Sequence, residues 1–191
     1  MSILSEFTPE ELDAVITENP SLRGFLQGYL AEVALKKQLL LLPEVTSVDK
    51  IPDKASEKGD LRVRYKDLDL TIEVKSVGTN SIKQDVLYDS WQGTVAVRSS
   101  DKKELEVEGV GRIRTSSIPR GGFDILAISC YAVSGKWEFM FMDNENIPYR
   151  DFKTPNLLKS SFTINPETTP YLHSDILRIL QIVYEKKKSN C

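Results

Sequence analysis

Histidine and cysteine are nearly missing from this sequence. One histidine, His173, and two cysteines, Cys130 and Cys191, stand among 191 residues. A disulfide framework or thiolate metal cluster cannot be built from one cysteine in a strand-like run and one at the last position. Zinc sites and catalytic triads usually need at least one histidine with partners. His173 lies in the polar stretch TTPYLHSD, where a loop or helix-cap role fits it. Hydrolytic chemistry here should therefore run on carboxylates, lysine and a hard metal ion. No apolar run approaches the roughly 20 residues of a membrane helix, so no membrane partner is expected. MSILSEFTPEEL lacks the basic region of a signal peptide, so a cytoplasmic location is expected. Positive charge is not in excess: 25 Lys and Arg face 28 Asp and Glu. A nucleic-acid coat protein would usually be basic, but local fields count for more than totals. Repeats, low-complexity blocks and linkers are absent too, and the length suits a single domain, 1–191.

What is present alternates between helical and strand patterns. FTPEELDAVI reads as a helix start, with Thr8 as N-cap, Pro9 in the first turn and Glu11 completing a capping box. Pro20 ends that helix. A second runs through SLRGFLQGYLAEVALKKQLLL to Pro43, and Leu22, Phe25, Leu26, Tyr29, Leu30, Val33 and Leu40 predict its buried face. VTSVDKI is a short strand, and IPDKASEKG is loop. DLRVRY and LDLTIEVKSV are alternating strands around Lys66-Asp67. Ile82, Val86 and Leu87 predict a helix capped by Asn80. GTVAVRS is β, and ELEVEGVGRIRTSSIPRGG is a charged, β-leaning excursion. FDILAISCYAV and KWEFMFMD form a hairpin around Ser134-Gly135. The stretch from Pro148 to Pro170 is mostly irregular. SDILRILQIVYEKKK is a closing helix over about 174–188, capped by Ser174. Its lysines suit a helix C-terminus. This order predicts an α/β domain with a mixed central sheet flanked by helices.

The charged hairpin carries the chemistry. A two-residue turn at Lys66-Asp67 pairs Arg62 with Thr71 and Arg64 with Asp69, and sets Asp60 opposite Glu73. Lys75 shares Glu73's face because strand side chains alternate. The other face is apolar throughout: Leu61, Val63, Tyr65, Leu68, Leu70, Ile72 and Val74. Alternation of this kind is also what a half-exposed antiparallel strand shows with no chemistry attached. But carboxylates opposed across two strands repel unless a cation lies between them. Two carboxylates plus a backbone carbonyl suit Mg²⁺, which favours oxygen ligands and keeps several waters.

GDLRVRYKDLDLTIEVKS resembles the signature of the PD-(D/E)XK nuclease superfamily, the restriction-endonuclease-like fold. Asp60 matches the first acid, and Glu73-Val74-Lys75 matches the Glu-x-Lys motif. Glu32, in GYLAEVALKK, fits the glutamate that the family often adds from the helix before the sheet. Gln84 and Tyr88 stand at the spacing of a Gln-x-x-x-Tyr motif that some members carry. The resemblance spans about residues 21–143. The proline expected before the first acid is missing, replaced by Lys58-Gly59. Pro52-Asp53 is a literal Pro-Asp but lies in polar loop.

The resemblance implies a restriction-endonuclease-like single domain and an Mg²⁺- or Mn²⁺-dependent endodeoxyribonuclease of restriction or defence type. Asp60, Glu73 and the Val74 carbonyl would hold the metal, and Lys75 would stabilise the phosphate and position the attacking water. Glu32 would hold a second ion or orient Lys75. The P–O3′ bond would break and leave a 5′-phosphate. DNA contacts would come from Arg62, Arg64, Lys83, Gln84, Tyr88, Arg112, Arg114 and Arg120. A cleaver of duplex DNA this small is expected to work as a homodimer. The alternative is a catalytically inactive restriction-endonuclease-like DNA-binding or interaction protein. A third reading is an unrelated α/β binding protein whose hairpin charges are only surface.

Overall fold

A computed structural model describes residues 6–52 and 59–190. Asp53, the acid of the literal Pro-Asp, Lys58 and Cys191 lie outside the described residues.

A short helix α1 (Pro9–Glu18) opens the described chain, and its start follows the expected chemistry. Thr8 Oγ1 accepts from the Glu11 amide at 3.2 Å, and Glu11 accepts from the Thr8 amide at 2.8 Å. Helix α2 (Pro20–Leu39) follows directly. The central sheet is then built from β1 (Val45–Lys50), β2 (Leu61–Tyr65), β3 (Leu68–Ser76), β8 (Ile125–Ser129) and β9 (Phe139–Asp143), in the spatial order β1-β2-β3-β8-β9. The strands β3 and β8 run parallel, and the other neighbours are antiparallel. The sheet is therefore mixed, as expected for this α/β chain.

Between β3 and β8 the chain makes β4 (Lys83–Asp85), β5 (Ser90–Ala96), β6 (Arg98–Val107) and β7 (Gly111–Ser117). β4 and β5 form a three-stranded sheet with β10 (Ser161–Ile164), while β6 and β7 form a two-stranded ribbon. A one-turn helix α3 (Tyr131–Ser134) links β8 to β9 and ends on Gly135, whose φ is 69°. The expected hairpin is thus an antiparallel pair with a helical turn in its connection. The closing helix is α4 (Ile176–Ser189).

The two faces of the central sheet are covered differently. Ala31, Leu35 and Leu39 of α2 and Ile179, Leu180 and Val183 of α4 pack on Leu61, Val63, Tyr65, Leu70 and Ile72. On the other face Leu126, Ile128 and Met142 meet Val95, Val97, Phe162 and Ile164. Helices therefore cover one face, and strands and loops cover the other.

Three sequence expectations need correction. The helix around residues 82–88 is instead a 3₁₀ turn at Thr79–Ser81 and the β4–β5 hairpin. Asp85 accepts from the Leu87 amide at 3.2 Å, a local bond that competes with helix. Asp89 then takes a φ of 45°. Val86 and Leu87, whose spacing suggested an apolar face, are 83% and 90% exposed. In α2 the buried stripe is Ala31, Leu35 and Leu39, while Leu22, Phe25, Tyr29, Leu30, Val33 and Leu40 are exposed. In α4 the cap is Asp175, which accepts from the Leu177 amide at 2.9 Å and the Arg178 amide at 3.2 Å, and not Ser174.

The lysine run that ends α4 clamps the helix to the sheet. Lys186 Nζ lies 2.5 Å from Asp143 and 2.9 Å from Glu145, Lys187 Nζ lies 2.8 Å from Asp124, and Lys188 pairs with Asp67. The Asp143 side chain is 6% exposed, so losing its partner strands a buried carboxylate. Lys186→Met is expected to cost about 2–3 kcal/mol, below the range for a fully buried pair because the lysine is half in water. Urea denaturation checks this, with Lys188→Met, on an exposed acid, expected near neutral.

Among the described residues, His173 and Cys130 take structural places. His173 exchanges backbone hydrogen bonds with Phe141 at 2.7 and 2.9 Å. Cys130 is buried, and burial pushes its thiol up to about 11.

Candidate active site

Strand β3 presents Glu73 and Lys75 on the face that also carries Thr71, because they stand two residues apart. Asp60 reaches them by an irregularity. The β2–β3 register is the expected one, with Arg62 opposite Thr71 and Arg64 opposite Asp69. At its end, however, Leu61 pairs with Ile72 while the Asp60 amide also donates to the Ile72 carbonyl at 2.8 Å. Two residues of one strand thus oppose one of the other, the pattern of a β-bulge. Asp60 therefore does not stand opposite Glu73 as the unbroken register predicts. Gly59 makes this possible with a φ of 99°, and a Cβ there would sit 3.2 Å from the Ile72 carbonyl oxygen.

The bulge aims the Asp60 side chain along β3. Asp60 Oδ2 accepts from the Val74 amide at 2.7 Å. The Val74 carbonyl points to the same edge as its amide, beyond the end of β2. Lys75 Nζ lies 2.5 Å from Glu73 Oε1 and 3.9 Å from Asp60 Oδ2. One amine therefore touches both carboxylates.

Burial raises the Glu73 carboxyl above its usual range; Lys75 opposes this, while Asp60 and Glu32 add to it. Burial pulls the Lys75 ammonium down, but Glu73, Asp60 and Glu32 outweigh it, and the net shift is upward. Lys75 is thus held in its charged form at neutral pH.

These groups line an open cleft of about 540 Å³. Glu32, Asp60, Glu73, Val74 and Lys75 all border it. Glu32 reaches it from α2, and Lys50 Nζ of β1 lies 2.5 Å from Glu32 Oε2. Lys50 also sits 4.6 Å from the Tyr29 ring centroid. Sequence reasoning missed Lys50, because the strand VTSVDK gives no sign that its last residue meets a helix 18 positions earlier.

The expected DNA contacts scatter. Arg62 stands opposite Asp49 in β1, and Arg64 pairs with Asp69 at 3.3 Å. Lys83 and Gln84 lie in β4 and Tyr88 in the turn after it, not on a helix. Arg112 lies 3.9 Å from both Glu104 and Glu106, and Arg114 stands opposite Glu104. Arg120 donates to the Ile147 carbonyl at 3.1 Å. None of these eight borders the cleft; its other cations among the described residues are Arg98 and Lys103, from β6. The charged run RSSDKK was a signal that could have pointed to them.

Among the described residues, four carboxylates (Glu32, Asp60, Glu73 and Asp101) and three cations (Lys75, Arg98 and Lys103) line the cleft. The sum of these described charges does not favour a polyanion. Among the described residues no three His, Cys, Asp or Glu side chains gather as a metal cluster. The donors that remain are two carboxylates and the Val74 carbonyl, all oxygen, which suits a hard cation that keeps most of its ligands as water.

No helix among the described residues is long and apolar enough to cross a membrane. No family model matches the chain, and no curated protein matches it. Among solved structures the chain is similar to a bacterial homing endonuclease, with a TM-score of 0.48 and 14% identity, over 86% of this chain and 95% of that one.

Proposed function

We propose that the protein is a metal-dependent DNA endonuclease of the PD-(D/E)XK type. One observation carries this reading: a bulge at Gly59-Asp60 brings a second carboxylate to the Glu73–Lys75 pair on the floor of an open cleft. A strand whose charges served only solubility would need neither the left-handed glycine nor a buried glutamate, since buried charges are costly.

In this reading Asp60, Glu73 and the Val74 carbonyl hold Mg²⁺ or Mn²⁺. The bound ion supplies positive charge against the phosphate and makes a bound water more acidic. Lys75, charged at neutral pH, donates from Nζ to a non-bridging phosphate oxygen and stabilises the negative charge that builds there. It acts as a donor, because an ammonium held above its usual range is a poor base. Water adds to phosphorus, the P–O3′ bond breaks, the 3′ oxygen takes a proton, and a 5′-phosphate remains. Lys50 keeps Glu32 engaged, so Glu32 shapes the field around the pair from the cleft wall. Cutting both strands of a duplex would bring in a second copy of the chain.

A second reading has its own support. Lys75 pairs with Glu73 at 2.5 Å and lies 3.9 Å from Asp60, and the same ion pairs would serve an inactive DNA-binding or interaction protein as structure alone. Incubating the protein with supercoiled and linear DNA in Mg²⁺, Mn²⁺ or EDTA separates the two. The nuclease reading expects nicked circles and 5′-phosphate ends with either ion and none in EDTA. DNA binding without cutting in every condition would favour the inactive module. Because acids outnumber cations among the described cleft residues, DNA affinity is also expected to rise with Ca²⁺, measured by fluorescence polarisation.

A further inference from the structure

Phe25 borders the candidate active site and is 71% exposed, on a helix whose buried stripe lies elsewhere. Exposing a phenyl ring at a charged cleft leaves apolar area in water that burial would otherwise remove. No described residue packs a ring or a cation against it, whereas its neighbour Tyr29 carries Lys50. The space beside Phe25 is open. A Cβ placed at Gly24 or Gly28, the glycines flanking it on the cleft wall, would meet nothing within 4 Å.

Among the described residues the cleft thus offers an accessible ring beside a set of charges whose sum is not positive. A polyanion gains little here from fixed cations. A nucleobase gains from stacking, which depends on π-surface and dispersion and not on net charge. A base inside a continuous duplex has both faces covered by its neighbours, so Phe25 can stack only on one that is unpaired or at an end. From this we propose that the cleft takes an unpaired nucleotide, as in a single strand, a flap or a frayed end, with its base on Phe25 and its phosphate over Glu73 and Lys75. The proposal rests on the nuclease reading, which makes the ligand a nucleotide; the exposed ring supplies the surface on which its base would stack.

The test uses the whole protein, Ca²⁺ and an oligonucleotide carrying 2-aminopurine, either single-stranded or in a fully paired duplex. Single strand is expected to bind at least tenfold tighter than duplex, with quenching of the 2-aminopurine. Phe25→Ala is expected to lose roughly ten- to hundredfold in affinity, together with the quenching, as removal of one stacked base does. Phe25→Trp should retain both. Since Phe25 is exposed, neither variant should disturb folding, and circular dichroism checks this. Equal binding of duplex and single strand, or unchanged affinity in Phe25→Ala, would overturn the proposal. So would a change in sedimentation with Phe25→Ala, because the ring would then belong to a contact between copies of the chain.

Cleavage in Mn²⁺, measured in parallel with wild type and Lys75→Met, keeps the two readings apart. Quenching that depends on Phe25 without any cleavage would sink the nuclease and leave the stacking. Cleavage that depends on Lys75 but ignores Phe25 would do the reverse.

Discussion

Lys75→Met is expected to lower DNA cleavage at least a hundredfold, since a charge-stabilising donor at a reacting centre contributes on the order of 10²–10³. Methionine keeps most of the packing volume and removes the charge. The same change strips Glu73 of the partner 2.5 Å away while the carboxylate stays buried. Stability should fall by about 2–3 kcal/mol near pH 8, less than for a fully enclosed pair because the lysine is partly exposed.

The pH dependence follows from the direction of the Glu73 shift. Burial raises its folded pKa above the unfolded value near 4.5, and Lys75 is the main group pulling it back. A carboxyl raised on folding contributes stability that is complete below the unfolded pKa and lost as pH rises through the folded one. In Lys75→Met the folded pKa climbs further while the unfolded one stays, so the loss grows and extends to higher pH. The variant should therefore be most impaired at pH 8 and closest to wild type near pH 5. Carbon-detected NMR of the Glu73 carboxyl in metal-free protein should show titration above 4.5 in the wild type and higher still in Lys75→Met. An unshifted carboxyl in both proteins, or wild-type cleavage by the variant, would remove Lys75 from the centre of the chemistry.

Asp60 separates structure from catalysis. Its Oδ2 is the acceptor for the Val74 amide at 2.7 Å. Asp60→Asn keeps an oxygen for that amide and deletes the charge. Asp60→Ala deletes both and leaves the amide without its partner. The asparagine variant should unfold within about 0.5 kcal/mol of wild type, as substitutions that preserve the local bonding do. The alanine variant should lose about 1–3 kcal/mol, the cost of an unsatisfied donor. Both should lose cleavage by roughly a hundredfold or more and weaken Mn²⁺ binding by calorimetry, because each removes a charged oxygen ligand. Full activity in Asp60→Asn would show that the carboxylate serves only to hold β3.

Much of the frame was legible in the residues. The β2–β3 register followed from the turn at Lys66-Asp67, because a side-chain period of two leaves one pairing that buries Leu61, Val63, Tyr65, Leu70 and Ile72 together. The cap of α1 was legible because Thr8 and Glu11 bond only to local backbone. Other features were not. α2 carries two apolar stripes, and periodicity cannot say which meets the sheet. The smaller one, with Ala31, lets the helix approach closely, and the larger one faces outward. The segment around Asp85 had helical spacing, but the pairing of β4 with β5 decided it.

The sequence by itself determined that only one histidine and two cysteines are available to any site, and that Glu73 and Lys75 share one face of one strand. Both follow from composition and from the alternation of a β-strand. Only the tertiary structure decided where Asp60 stands, that Glu32 meets Lys50, and that Arg98 and Lys103 border the cleft in place of the expected arginines. Those positions depend on a single bulge and on contacts between elements far apart in the chain, and no local periodicity encodes either.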